Sequence, residues 1–500
     1  MHKPIKTFFL LLLVMVALGA IALLFPKQGI RVGNNCTITF PSLSDIFLPD
    51  TSNTKDINQL FNAELLANIE TNSDSLPTID TLDSSMAAKL QDSSRVQQDS
   101  LLPTTPIRNI ETKLPNIAIE HSDSAKAALR NFFESLLTIQ PGTLPIRVLH
   151  YGDSQIEVDR ISSRLRKRLQ EQFGGGGYGF ITLESAEQSY MMSVTSTNLW
   201  DTRKIKNKDD KEKKDFGPFF SSARIGITES GTKKEGYITI SQNRLGRMVN
   251  RFSFCYRPTS PLLLQIKCDE ATLYADIVSP SSKPLLTTVT IPASAKSISI
   301  KMQADQSPLI FGLGFDNSYG VAVDNIPIRG SSGLEFTREN FSVLSNSYQM
   351  LNARLILLEF GVNVVPTHAR SYGYYEEALY RQLMYIRKAA PKASVMLIGV
   401  SDISKNENGR MVSHNNIEPI RDAQKRAAFR AGCAFWDCYK AMGGKNSMPA
   451  WVSAQPPLAN KDYIHFTIKG ANLIGDIFYK ALMKDYQEFL ASKNTLPDGQ

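Results

Sequence analysis

Apolar positions follow four rhythms along the chain. From Thr7 through Phe25 they run on without a charge and stop at Pro26-Lys27. Such a run of about 19 mostly apolar residues is long enough for a short membrane span. From Pro41 to Ser124 no period is sustained among residues rich in Ser, Thr, Asp, Asn and Pro. That pattern predicts a solvated linker, with residues 58–69 as one short amphipathic stretch, too short to be a stable helix alone. Beyond Ser124 a helical spacing over 125–137 is followed by a β-type run over 145–151, the turn Gly152-Asp153-Ser154 and a second helical spacing over 161–173. The same alternation returns later, with strands over 355–360, 393–400 and 434–436 and helices over 374–389, 417–431 and 468–490. Strands alternating with helices predict an α/β domain whose parallel sheet is covered on both faces. Between the two parts, roughly 175–318, the segments 236–240, 251–256, 262–266, 286–291 and 297–302 are short, β-rich and divided by turn residues. They predict a β-sandwich inserted into the α/β domain.

The chain then divides into residues 1–27 as anchor or signal peptide, 28–124 as linker, 125–175 and 319–492 as the two parts of the α/β domain, 176–318 as the insertion and 493–500 as a tail. Lys3 and Lys6 precede the apolar run, so the positive-inside rule leaves the N-terminus in the cytoplasm and exports the rest. A cleaved signal peptide is the competing reading, although the region lacks a clean A-x-A site and continues apolar to Phe25. Cys36 follows Gly33-Asn34-Asn35, which lacks the small apolar residues that precede a lipid-modified cysteine. With 42% apolar and 21% charged residues, the chain is neither wholly disordered nor a polytopic membrane protein. A net charge of +8 spread unevenly over 500 residues argues against nucleic acid as the partner. The five cysteines, Cys36, Cys255, Cys268, Cys433 and Cys438, form no C-x-x-C pair and have no histidine at zinc-ligand spacing, so no structural metal is expected. Their spacing does not decide whether Cys433 pairs with Cys438 or Cys255 with Cys268.

Gly152-Asp153-Ser154-Gln155 puts a serine at the carboxyl edge of the sheet, where open α/β folds carry their sites. Asp462-Tyr463-Ile464-His465 precedes the last helix. Asp and His at i and i+3 on one helical turn face the same way, so the carboxylate can hold the imidazole tautomer while the other nitrogen faces a serine. Either motif alone is common; the two together, in this order, are not.

With these residues the sequence resembles the SGNH/GDSL hydrolases over about 145–490, apart from the insertion. Gly152-Asp153-Ser154-Gln155 resembles the nucleophile block, and Asp324-Asn325-Ile326-Pro327-Ile328-Arg329-Gly330-Ser331-Ser332-Gly333 the glycine block. Glu359-Phe360-Gly361-Val362-Asn363-Val364 resembles G-x-N-D, with Val364 standing where the family has an acid, and Asp462-x-x-His465 completes the set. The resemblance implies a flavodoxin-like three-layer α/β/α domain in which Ser154 is the nucleophile, His465 the base and Asp462 its partner. It implies an oxyanion hole of the Ser154 amide, the Gly333 amide, with Gly330 as the alternative, and the Asn363 side chain, and it implies no metal or organic cofactor. A sandwich in this position resembles the peptidoglycan O-acetylesterase branch and its relatives in exopolysaccharide acetylation. That implies an O-acetylated glycan substrate outside the cytoplasm, with the insertion binding carbohydrate or shaping the substrate site. A polysaccharide O-acetyltransferase using the same triad and a non-catalytic glycan-binding or scaffold protein are the alternatives.

Other features read more plainly. Gly174 to Gly177 is a helix stop into the insertion, since no Gly-Lys-Ser/Thr follows. The basic stretch from Arg203 to Lys214, interleaved with Asp209, Asp210 and Glu212, reads as a solvated loop. His150 reads as packing and His368 as a loop residue near Asn363.

Overall fold

Five short runs align as the parallel strands β1 (Ile146–Gly152), β2 (Val321–Pro327), β3 (Ala353–Glu359), β4 (Ser394–Ile398) and β5 (Ala434–Trp436). The spatial order is β2-β1-β3-β4-β5. The computed structural model describes residues 3–25, 30–32, 36–38, 55–62, 65–66, 69, 114–122 and 127–494 apart from 185–191, 198, 206–215, 231–232 and 243–244. Most of the expected linker, the basic stretch beyond Ile205 and the tail from Thr495 lie outside the described residues.

Alternate residues of each strand point to opposite faces, and both faces are dry. On one side Leu149, Tyr151, Ile356, Leu358 and Leu397 pack beneath α2 (Phe341–Met350), α3 (Gly373–Ala389) and α4 (Ile417–Arg430). On the other, Val148, Leu355, Leu357, Met396 and Ile398 pack against α1 (Ser162–Phe173) and α5 (Ile468–Asn494). Strand β2 is absent from the hydrophobic reading because its second half, Asp324-Asn325-Ile326-Pro327, is polar and ends in proline. It is an edge strand, where proline is tolerated. The order reverses between β1 and β3, and the crevice beyond their carboxyl ends is the place an open α/β sheet offers a ligand.

Between Gly177–Ile181 and Leu309–Asp316 the chain builds two six-stranded sheets paired antiparallel throughout. Their facing sides bury Ile238, Ile240, Phe252, Phe254, Ile298, Ile300 and Phe315, and burial alternates along Ser297–Gln303 as one covered face requires. The chain enters this module through glycines after α1. At Gly175, φ is +118° and a Cβ would meet the Val321 carbonyl oxygen at 2.4 Å, so only glycine allows the two segments to cross. The modules are joined by Arg147 of β1, which is 2% exposed. It pairs with Asp316 at the end of the sandwich and with Asp324 of β2, the latter at 2.6 Å, and lies over the Phe180 ring at 4.7 Å. Burial pushes the Asp324 carboxyl up while Arg147 opposes it. Removing one partner from such a buried pair costs about 3–5 kcal/mol.

Two pieces of the expected linker belong to the α/β domain. Phe61, Leu65, Leu66 and Ile69 enter the core on the α5 side, with Phe61 edge-on to Trp451 at 5.6 Å. Glu120 exchanges backbone hydrogen bonds of 2.7 and 2.9 Å with Phe435, adding an antiparallel bridge to the outer edge of β5. The Trp436 indole donates to Ile117 O at 3.1 Å, and His121 meets Asp485 at 2.7 Å.

At the N-terminus a helix spans Lys3–Leu24 and exposes Phe8 through Val16, Leu18, Ile21, Leu23 and Leu24. Among the described residues no helix is long and apolar enough to cross a membrane. Cys255, Cys268, Cys433 and Cys438 are free, buried thiols, so neither pairing left open by the sequence is formed.

Candidate active site

β1 delivers the nucleophile turn. Asp153, 1% exposed, accepts from Gln155 N at 3.0 Å and from Gly361 N at 3.2 Å, and its own amide donates to Glu359 O at 3.1 Å. It therefore ties the turn after β1 to the loop after β3. Burial pushes its carboxyl up to about 7; the amide hydrogen bonds from Gln155, Gly361 and Val362 oppose the shift, and the charge of Glu359 adds to it. Ser154 opens a short 3-10 segment, Ser154–Asp159. Val158, Asp159 and Ile161 all have positive φ, near 60°, a strained conformation for branched side chains. Arg160 clamps this bend by donating to Ser154 O at 2.6 Å and to Gln155 O at 3.1 Å.

The acid and base come from the loop before α5, not from a helix turn as the spacing predicts. Tyr463 has φ +59°, and Asp462 Oδ1 accepts from the amides of Ile464 and His465 at 2.9 and 3.0 Å. This is the hydrogen bonding of an Asx turn. It turns His465 so that Nδ1 lies 2.7 Å from Asp462 Oδ2 and Nε2 lies 2.8 Å from Ser154 Oγ. With Nδ1–H donating to Asp462 Oδ2, Nε2 is the acceptor for the serine hydroxyl. Partial burial pushes the Asp462 carboxyl up, but hydrogen bonds from the His465 ring and from the two amides outweigh it and hold the group below its ordinary value. Asp462 thus stays charged beside an imidazole that gains a proton.

Of the three expected oxyanion donors, the Ser154 amide opens the nucleophile turn, whereas Gly333 and Asn363 are both engaged by Ser331. The turn after β2 is closed by Ser331 N to Ile328 O at 2.9 Å, with Gly330 at φ +72° and Gly333 at φ +78°. The Gly333 amide donates to Ser331 Oγ at 2.9 Å, so its single hydrogen is committed within the loop. Asn363 Nδ2 donates to Ser331 O at 2.9 Å. A primary amide has two hydrogens, so this contact fixes the Asn363 side chain and leaves the second available to a substrate oxygen. Val364, which replaces the family's acid, packs in the core beside Phe360 and Val365, and its amide closes a turn on Gly361 O at 2.9 Å.

Three further expectations are refined. His150 is fully buried, as a packing residue is, and is also hydrogen-bonded: it lies 3.1 Å from Glu359 Oε2 and 2.9 Å from Ser162 Oγ, and Ser162 in turn donates to Asn325 at 2.8 Å. His368 stacks against His414 at 6.2 Å, and burial, then Lys405 and His368, lower the His414 pKa. Among the described residues no group of three or more His, Cys, Asp or Glu side chains is placed to hold a metal.

No protein-family model and no curated protein matches the chain. Among solved structures, a peptidoglycan O-acetylesterase superposes with a TM-score of 0.58 at 20% identity, covering 73% of this chain and 99% of that one. An acetyl xylan esterase (TM-score 0.25, 16% identity, 32% and 81% covered) and a family 3 carbohydrate esterase from Talaromyces cellulolyticus (TM-score 0.25, 18% identity, 33% and 72% covered) overlap far less. The shared region of the first is larger than the α/β parts alone, so the likeness extends into the insertion. At this identity the kinship is one of fold: the chain has the architecture of a peptidoglycan O-acetylesterase, sandwich and parallel sheet together.

Proposed function

We propose that the chain is an SGNH-type serine esterase that removes O-acetyl groups from a cell-envelope glycan, peptidoglycan or exopolysaccharide. The observation that carries this reading is the continuous hydrogen-bonded series Ser154, His465, Asp462 at the carboxyl edge of the sheet. His465 Nε2 takes the hydroxyl proton as Ser154 Oγ attacks the acetyl carbonyl carbon, and Asp462 stabilises the resulting imidazolium. The Ser154 amide and the second Asn363 hydrogen receive the negative oxygen, and Gly333 joins them once its amide leaves Ser331. Collapse breaks the bond to the sugar oxygen, which takes the proton from His465. Water, deprotonated by the same imidazole, then attacks the acetyl-serine and releases acetate.

The glycan assignment is supported by the fold likeness, which includes the sandwich. Export is supported by the apolar N-terminal run behind Lys3 and Lys6. In this reading the folded part works outside the cytoplasm, at the periplasmic face of the bacterial inner membrane. The test measures acetate released from O-acetylated peptidoglycan, from an O-acetylated exopolysaccharide and from a small acetyl ester, with Ser154→Ala as control. Release lost in the variant establishes the esterase. Acetate gained by a deacetylated glycan, with no net release, would make it a transferase instead.

A further inference from the structure

The side chain of Gln155, next to the nucleophile, is 2% exposed and spans the gap to the loop that carries the base. Its Oε1 accepts from Phe466 N at 3.1 Å, and its Nε2 donates to Ile464 O at 2.9 Å and to Ser401 Oγ at 3.1 Å. One amide therefore grips the backbone immediately before and immediately after His465. Both Nε2 hydrogens and the carbonyl oxygen are used, in an environment where Phe466 is fully buried. Ser401, the third partner, lies just beyond β4, so Gln155 joins the carboxyl ends of β1 and β4 to the base loop.

We infer that Gln155 is a positioning residue: it fixes the backbone of His465 relative to Ser154 and so sets the 2.8 Å contact between base and nucleophile. The inference rests on the esterase reading above and adds a residue through which that site is held in register. Other contacts hold the base loop from elsewhere, with Asn460 N donating to His465 O at 2.8 Å and Ser404 N to Tyr463 O at 3.0 Å, and Gln155 ties it to the nucleophile turn. Catalytic groups misplaced by about 1 Å lose on the order of 100-fold in rate, and Gln155 is the side chain bonded to both neighbours of the base.

The test uses the full chain and a serine-directed fluorophosphonate, which reacts with an activated serine whatever the natural substrate. Gln155→Met keeps length and apolar volume without the three hydrogen bonds. It is expected to slow labelling of Ser154 by about 10- to 100-fold, and to lower kcat for a small acetyl ester by a similar factor with KM little changed. In a His465→Ala background, where there is no base to position, the same substitution should have no further effect, because residues acting as one unit are not additive. Gln155→Glu keeps the shape but turns a carboxylate oxygen toward Ile464 O; it should label about as slowly as Gln155→Met at neutral pH. Equal labelling of wild type and Gln155→Met, or a full additional loss in the His465→Ala background, overturns the inference. If the wild type itself is not labelled, the activated serine is refuted and the inference falls with it. A melting curve for each variant separates loss of fold from loss of register.

Discussion

Ser154, His465 and Asp462 stand in hydrogen-bond contact at 2.8 and 2.7 Å, whereas two of the three groups expected to receive the oxyanion, Gly333 and Asn363, both donate to Ser331. The first group consists of side chains set by a local turn, and it is complete as it stands. The second belongs to a loop whose buried polar groups satisfy one another, as buried polar groups must. A serine activated by its base and an electrostatic receptor for the developing charge are therefore separable problems in this molecule. In the proposed mechanism the first rests on the Asx turn at Asp462 and the second on the spare hydrogen of Asn363.

The comparison can be broken first on its completed half. Ser154→Ala should lower acetate release by on the order of 10⁴- to 10⁶-fold with an unchanged melting temperature, since nothing else can take the nucleophile's place. Activity of the wild type should rise with pH through the range in which histidines lose their proton, because only a neutral base accepts the serine proton. On the other half, Asn363→Ala should reduce kcat by about 100- to 1000-fold while leaving KM nearly unchanged, the signature of a donor used in the transition state. A loss below about threefold would show that Asn363 only holds Ser331.

The joint between the halves is Asp153, and its expected effect is on stability. In the folded protein its carboxyl keeps a proton up to about pH 7, whereas in an unfolded chain an aspartate releases it near pH 3.9. Between those limits the native state binds more protons, so stability falls as pH rises from about 4 to about 7. Asp402, fully buried and pushed up to about 6, acts in the same direction. Thermal melts across this range should show the decline, with a shallower slope in Asp153→Asn. The smallest effect is expected from Ser331→Ala, which removes the acceptor for Gly333 N and a hydrogen bond to Glu335 while keeping the carbonyl that holds Asn363. Stability should drop by about 1 kcal/mol, and kcat should hold steady or increase as the Gly333 amide is freed. A large fall in kcat would make Ser331 itself part of the oxyanion site.

Apolar runs are enough to place β1, β3, β4 and β5, because strands buried on both faces are mostly apolar, interrupted in β1 by Arg147 and His150. β2 escaped because Asp324 and Asn325 are polar in isolation; Arg147, 177 residues earlier, makes a buried Asp324 tolerable. The spacing of Asp462 and His465 points to two side chains that do meet, but through a side-chain-capped turn and not a helix, since either brings i and i+3 together. Gly333 and Asn363 were legible as a shared loop, but Ser331's hold on both was not, because it depends on how two distant turns fold against each other. The apolar residues of the segment before Ser124 were too sparse to suggest a core of their own. They join one that is already built.

The bridge between Glu120 and Phe435 has a consequence for handling the protein in pieces. β5 is only three residues long and is the last strand of its sheet. A fragment beginning after residue 124 would bare that edge together with the Trp436 indole N–H and the apolar surface under Phe61, the arrangement that templates pairing between molecules. Such a fragment should aggregate on concentration, while one that retains residues from 55 onward should remain in solution. The segment that resembles a spacer in the sequence is thus what keeps one copy of the catalytic sheet from joining the next.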